Sequence, residues 1–285
     1  MRINEVGVVG CGFMGSGIVQ VCAQNGYQVT VLEINDEALK RGLANIDSQL
    51  CRSVGKGRML HEERAAVLGR IKGTTTMKEL APCDIVIEAA TENLGLKKEI
   101  FRELDRTCRP DIILASSTST VSIANLAGAT KRPGNVIGIH FLSPVPPSRL
   151  VEIVRPDTTS DETCETACEF CKSMGKDVIV AQDITPFVFN YLYLTLTRAA
   201  LELMENKIAS AEDIDKAARL GLGHPLGPIE LIDFNGVDTI HLVFKTVFEQ
   251  TDDPRFEPSK LLKKLCDEGS LGRKTGRGFY DYAGK

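Results

Sequence analysis

No tryptophan occurs in the chain, aromatic residues make up only 6% of it, and no apolar run approaches the roughly 20 residues that a membrane-spanning helix needs. A helical membrane protein is thereby excluded. An excess of charge is also missing: the net charge is -4 and the pI is near 5.7, which gives no general attraction to nucleic acid or to an anionic membrane. Internal repeats and low-complexity tracts are lacking. The nine cysteines (11, 22, 51, 83, 108, 164, 168, 171, 266) are odd in number and scattered, so they form no disulfide framework and suit free thiols in a reducing compartment. The opening "MRINEVGVVG" runs almost directly into a strand and leaves no room for a targeting segment, so the expected location is cytoplasmic. What remains is a chain of 285 residues, 43% hydrophobic and 25% charged, long enough for one large or two modest domains with real cores.

Short β-rich runs alternate with helical patterns through the first two thirds: "EVGVVG", "YQVTVLE", "DIVIEAA", "DIILASS", "NVIGIH", "LVEIV" and "KDVIVA". That alternation predicts a mostly parallel sheet with helices on both faces. From "PFVFNYLYLTLTRAALELME" onward the periodicity is helical. The fold class expected is therefore α/β, with a Rossmann-type domain over residues 1–183 followed by an all-α C-terminal domain over 184–285. Residues 51–73 read as a helical hairpin inserted into the first domain. The spacing of Cys164, Cys168 and Cys171 puts three sulfurs on one helix face. With no fourth ligand nearby in sequence, packing is expected there and no metal site.

"VGVVGCGFMGSG" supplies Gly10, Gly12 and Gly15 in GxGxxG spacing between a strand and a helix, with Phe13 and Met14 inside the motif. Glycines so placed permit a tight turn, a close approach of backbone to pyrophosphate and close helix packing. The second strand ends at Glu33, 18 residues after Gly15. A carboxylate there accepts from both ribose hydroxyls of NAD and repels the 2′-phosphate of NADP, so NAD is the expected cofactor.

Hydride transfer from an alcohol needs a base, and "VIGIH" delivers His140 to the carboxyl end of a strand, where open α/β sheets bind ligands. Glu152, in "RLVEIV", could hold one ring nitrogen of His140, fix its tautomer and stabilise the imidazolium. From the residues alone an ordinary hydrogen-bonded histidine and an exposed strand glutamate fit equally well.

Together "GCGFMGSGI", "DIVIEAATEN", "ILASSTSTVSI", "VIGIHFLSPVPPSRLVEIV", "ARLGLGHPLGPIELIDF" and "GRKTGRGFYDY" resemble the 3-hydroxyacyl-CoA dehydrogenase family, most of all its short 3-hydroxybutyryl-CoA dehydrogenases. The resemblance spans nearly the whole chain. It implies NAD-dependent oxidation of an L-3-hydroxyacyl-CoA, with His140 as catalytic base and Glu152 as its partner. It further implies that Ser119 and Asn190 hydrogen-bond the substrate oxygen or hold the thioester carbonyl. Glu92 and Lys97 fall on residues lining the nicotinamide and ribose site, and Ser117, Ser119 and Ser143 also fall at the cofactor. Arg52 and Lys56 match basic residues that hold the CoA phosphates. A homodimer through the C-terminal domain is implied, with no nucleic-acid or membrane partner. Four positions depart from the family's pattern: Ser117 and Ser143 replace asparagine, Pro186 replaces glycine and Tyr191 replaces arginine. A dehydrogenase of a free hydroxy acid or another alcohol on the same scaffold is the nearest alternative, and a non-catalytic NAD-binding protein a more distant one.

Overall fold

The computed structural model describes residues 2–283, which fall into two compact units, the chain dividing between Phe187 and Val188. The first contains, in order, β1 (Glu5–Val9), α1 (Phe13–Gln24), β2 (Gln28–Leu32), α2 (Asp36–Gly55), α3 (His61–Gly69), β3 (Ile71–Thr74), β4 (Ile85–Glu88) and α4 (Leu94–Thr107). It continues with β5 (Ile113–Ser116), α5 (Ile123–Ala127), β6 (Val136–Phe141), β7 (Leu150–Arg155), α6 (Asp161–Ser173) and β8 (Asp177–Gln182). The second unit is built from α7 (Val188–Glu205), α8 (Ala211–Gly221), α9 (Pro228–Asn235), α10 (Val237–Thr251) and α11 (Lys260–Asp267).

The strands form one sheet in the order β3-β2-β1-β4-β5-β6-β7-β8, parallel except for the antiparallel pair of β6 and β7. A parallel sheet covered on both faces needs continuously apolar strands. Accordingly β4, β5 and β6 are buried at every position. Each face has its own core, one containing Ile18, Val31, Ile46 and Phe170, the other Phe101, Leu104, Ile123 and Phe187. Helix starts follow local chemistry: the side chains of Asn35 and Asn93 accept from the N–H groups of Ala38 and Leu96 and cap α2 and α4. Cys164 and Cys171 pack into the first core beside Ala167, Phe170 and Met174.

Two boundaries differ from the sequence expectation. The helical hairpin is α2 and α3, which together run from Asp36 to Gly69, so it begins earlier than residue 51, and residues 71–74 are instead the edge strand β3. "IKGT" has a single strong apolar residue, and only pairing with β2 reveals it as a strand. The first unit extends beyond Asp183 because that carboxylate accepts from Ser122 Oγ and from the N–H groups of Ile123 and Ala124, at 2.8, 3.0 and 2.6 Å, capping α5. Phe187 then packs into the core of the same unit.

Candidate active site

At the carboxyl end of β1 the chain turns through Gly10 with φ +94°, where a Cβ would lie 2.8 Å from the carbonyl oxygen of Ala89. At Gly15 a Cβ would collide with the Gly10 carbonyl, so both positions require glycine for close approach. Gly12, the N-cap of α1, faces open space, and no side chain caps that helix. An uncapped N-terminus under an open glycine fits a pyrophosphate, with backbone N–H groups and the helix dipole both favouring the anion. Phe13 and Ile34, beside this turn, are 69% and 88% exposed, whereas Met14 packs against the core.

Glu33 follows β2. Its Oε1 accepts from the Cys11 N–H at 2.6 Å and its Oε2 from the Ile34 N–H at 3.0 Å, which anchors the carboxylate against the glycine turn. A carboxylate offers about four acceptor positions, so capacity for ribose hydroxyls is left. A cleft of about 320 Å³, lined by Leu32, Glu33, Ile34, Met77, Leu96 and Ile100 among others, accommodates an apolar ring next to that carboxylate. A larger hollow of about 480 Å³, lined by Tyr27, Gln28 and Ser173, lies at the amino ends of β1 and β2, the end of an α/β sheet that does not bind ligands.

His140 and Glu152 are register partners across the antiparallel β6–β7 pair. Directly opposed residues of such a pair project from the same face. Nδ1 of His140 lies 2.6 Å from Oε2 of Glu152, and the residues are 4% and 0% exposed, so Glu152 is no exposed strand residue. An ionised carboxylate can only accept, so beside one, Nδ1 carries the proton and Nε2 keeps its lone pair. The Phe187 ring packs edge-on against the imidazole with centroids 5.6 Å apart. The loop between the two strands, which contains exposed Ser143, is held by Lys176, whose buried Nζ donates to the carbonyls of Val145 and Ser148 at 2.8 and 2.6 Å. Burial lowers the Lys176 pKa from its ordinary value, although the nearby thiols of Cys171 and Cys22 oppose this.

The carboxyl ends of β4 and β5 bring Glu92, Lys97, Ser117 and Ser119 into one region. Glu92 accepts from Thr118 Oγ1 at 2.5 Å and from the Ser119 N–H at 3.0 Å. Ser117 Oγ is buried with no hydrogen-bond partner among the described residues, an unmet donor and acceptor at the end of β5. Lys97 is expected at the cofactor surface, yet its side chain is 1% exposed and paired with Glu88. Glu88, Lys176 and Asp183 are the residues that sequence reasoning missed. A glutamate closing an otherwise apolar strand, with a lysine nine residues later on the next helix, is the signal that would have flagged Glu88.

Arg52 and Lys56 lie at the exposed C-terminal end of α2, and neither forms an ion pair among the described residues. Asn190 sits in the first turn of α7, in the second unit. There Tyr191 is met by Arg255, which donates to its hydroxyl and sets its guanidinium 5.3 Å from the ring centroid. A guanidinium from another turn thus lies beside the position where the pattern has arginine.

Residues 5–184 match the 3-hydroxyacyl-CoA dehydrogenase NAD binding domain, and residues 187–282 the 3-hydroxyacyl-CoA dehydrogenase C-terminal domain. The chain is 42% identical over 282 residues to a 3-hydroxybutyryl-CoA dehydrogenase of Bradyrhizobium diazoefficiens, covering 99% of this chain and 96% of the relative. The crystal structure of (S)-3-hydroxybutyryl-CoA dehydrogenase from Ralstonia eutropha superposes with a TM-score of 0.92 at 40% identity, covering 99% of each chain. A structure described by its substrate-directed dual catalysis of dicarbonyl compounds, a diketoreductase, superposes with a TM-score of 0.89 at 30% identity, covering 99% of this chain and 100% of the other.

Proposed function

This chain belongs to the 3-hydroxyacyl-CoA dehydrogenase family, and from that membership we propose how its residues divide the work of oxidising an L-3-hydroxyacyl-CoA to the 3-oxoacyl-CoA with NAD. The acyl chain is short, as in 3-hydroxybutyryl-CoA, and the reaction is reversible. The observation that carries the assignment of roles is the buried His140–Glu152 pair. His140 Nε2 takes the proton of the C3 hydroxyl, and Glu152 holds Nδ1–H and stabilises the imidazolium as it forms. Bound NAD supplies the hydride acceptor. Gly10, Gly12, Phe13, Met14 and Gly15 form its pyrophosphate turn, Glu33 takes the adenosine ribose, and Glu92 with Ser117, Ser119 and Ser143 faces the nicotinamide half. Ser119 and Asn190 orient the substrate oxygen or the thioester carbonyl.

The direct test is a panel with NAD in which 3-hydroxybutyryl-CoA, longer 3-hydroxyacyl-CoAs and free 3-hydroxybutyrate compete as substrates. The short thioester is expected to have the highest kcat/KM. Equal efficiency with the free acid would favour the alternative reading, a dehydrogenase of a free hydroxy acid or another alcohol.

NAD is expected to be preferred over NADP, and Glu33→Ala to narrow the gap, because removing the carboxylate removes both the ribose acceptor and the repulsion of a 2′-phosphate. Comparing kcat/KM for the two cofactors checks this, and an unmodified chain indifferent to the phosphate would refute the role of Glu33.

The CoA phosphates need a local cation patch on a chain with net charge -4. A Cβ at Gly42 of α2 would touch Cys11 in the glycine turn, and Arg52 and Lys56 lie ten and fourteen residues farther along, roughly 15–20 Å at helical rise. That offset keeps both cations clear of the turn that holds the NAD pyrophosphate. The double change Arg52→Ala with Lys56→Ala should raise KM for the thioester, leave NAD affinity nearly unchanged and reduce the salt dependence of KM. A double variant with the parent's KM and salt response would remove both residues from CoA binding.

Leu192, Leu203 and Leu242 of α7 and α10 are 65%, 37% and 61% exposed, an apolar surface on the C-terminal unit that suits a homodimer. Sedimentation equilibrium should give twice the 31.1 kDa chain mass, and Leu192→Glu with Leu242→Glu should shift it toward the monomer. Nine free cysteines suit the cytoplasm, and the acyl-CoA substrate suits a role in fatty acid metabolism.

A further inference from the structure

Glu88, the last residue of β4, carries a fully buried charge that the roles above do not use. A buried carboxylate is costly unless it is both paired and hydrogen-bonded, and Glu88 is both. Its Oε1 accepts from Lys97 Nζ and from the Ala90 N–H, each at 2.7 Å. Its Oε2 accepts from Lys97 Nζ at 2.9 Å and from Ser116 Oγ at 2.6 Å. Four contacts fill the roughly four acceptor positions of a carboxylate, so Glu88 has none left for a ligand.

From Glu88 the contacts run outward. The Thr118 N–H donates to Ser116 Oγ at 3.2 Å, and Thr118 Oγ1 donates to Glu92 Oε2 at 2.5 Å. Lys97 Nζ lies 4.0 Å from that same Oε2. A ring of Glu88, Ser116, Thr118, Glu92 and Lys97 results, joining the ends of β4 and β5 to the first turn of α4. Four of its members are buried, and Glu92 alone of the five presents an exposed side chain, at 41%. A ligand at the carboxyl end of the sheet meets the ring through Glu92.

We propose that Glu88 is a positioning residue for cofactor binding: with Lys97 as a buried ammonium behind Glu92 and Ser116 as a tie to the 116–119 turn, it presents the Glu92 carboxylate in one orientation. This rests on the reading that Glu92 faces the nicotinamide half of NAD. Lys97 on this account acts through Glu92 and does not touch the cofactor.

The test is a mutational cycle read by NADH fluorescence titration and thermal melting. Glu88→Gln and Lys97→Met each strand a buried partner and should lower the melting temperature. The double variant Glu88→Gln with Lys97→Met restores neutrality, so its melting temperature should return toward the parent's. Its NADH affinity should nevertheless stay about tenfold weaker, the scale of one charge-assisted hydrogen bond. KM for NAD should rise by more than kcat falls. Glu92→Gln should weaken NADH binding in the parent and add little in the double variant, because the first two changes act through the same carboxylate. Ser116→Ala, which leaves the ion pair intact and cuts the ring at the turn, gives an independent arm and should also weaken NADH binding while melting near the parent. A double variant, or a Ser116→Ala variant, that binds NADH as the parent does would overturn the proposal and leave the ring a purely structural one. An unmodified chain that bound no NADH would instead overturn the cofactor reading on which the proposal rests.

Discussion

His140→Gln should lower kcat for the 3-hydroxyacyl-CoA by at least about a hundredfold, the usual scale of general-base catalysis, while NAD affinity stays close to the parent's. The reason lies in the ring nitrogen that Glu152 does not occupy. Glu152 occupies Nδ1 at 2.6 Å, so Nε2 is the only basic atom the ring can offer. An amide has no comparable basic nitrogen, but its N–H can still serve the buried Glu152 carboxylate, so the variant should fold. Stopped-flow measurement of NADH formation, together with NADH titration and a thermal melt, separates the chemical step from binding and stability. Turnover within a fewfold of the parent would remove His140 from the proton transfer.

Glu152→Gln should also be severe, in the range of about 10² to 10⁴ in kcat, because an amide beside a catalytic imidazole can donate to Nδ1 and force the proton onto Nε2. Even where the amide oxygen accepts, it has no charge with which to stabilise the imidazolium. The residue is 0% exposed and acts through His140, so KM for both substrates should change much less than kcat. Steady-state kinetics over a range of pH checks this. An unchanged kcat and an unchanged pH profile would mean that Glu152 serves only the strand pairing.

The two carboxylates that matter most illustrate what a linear sequence can carry. Glu33 was legible because a glycine turn, a helix and the end of the next strand stand at a characteristic separation, all within one βαβ unit. Glu152 was only half legible. Its spacing from His140 allowed a pairing, but a strand glutamate flanked by apolar residues reads the same whether it faces solvent or the interior. What decided the matter was β7 running antiparallel to β6 in a register that opposes residue 152 to residue 140. Glu88 was legible only as a glutamate closing an apolar strand with a lysine nine residues later, because its three donors come from the β4–α4 loop, from α4 and from β5 and meet only in the fold.

By itself, then, the sequence determined the alternation of apolar strands and amphipathic helices, the glycine turn and its acidic companion, the shift to helix in the last third, and through its motifs the family. These are properties of near neighbours, where backbone conformational preference and hydrophobic period act over a few residues. The tertiary structure alone decided the edge strand 71–74, too short and polar to declare itself, and the true end of the first unit, set by the Asp183 cap and the burial of Phe187. It also decided the partners of His140 and Glu88. Hydrogen bonds between buried side chains depend on register and crossover geometry, and residues 12 and 28 positions apart meet only after the sheet has brought their strands together.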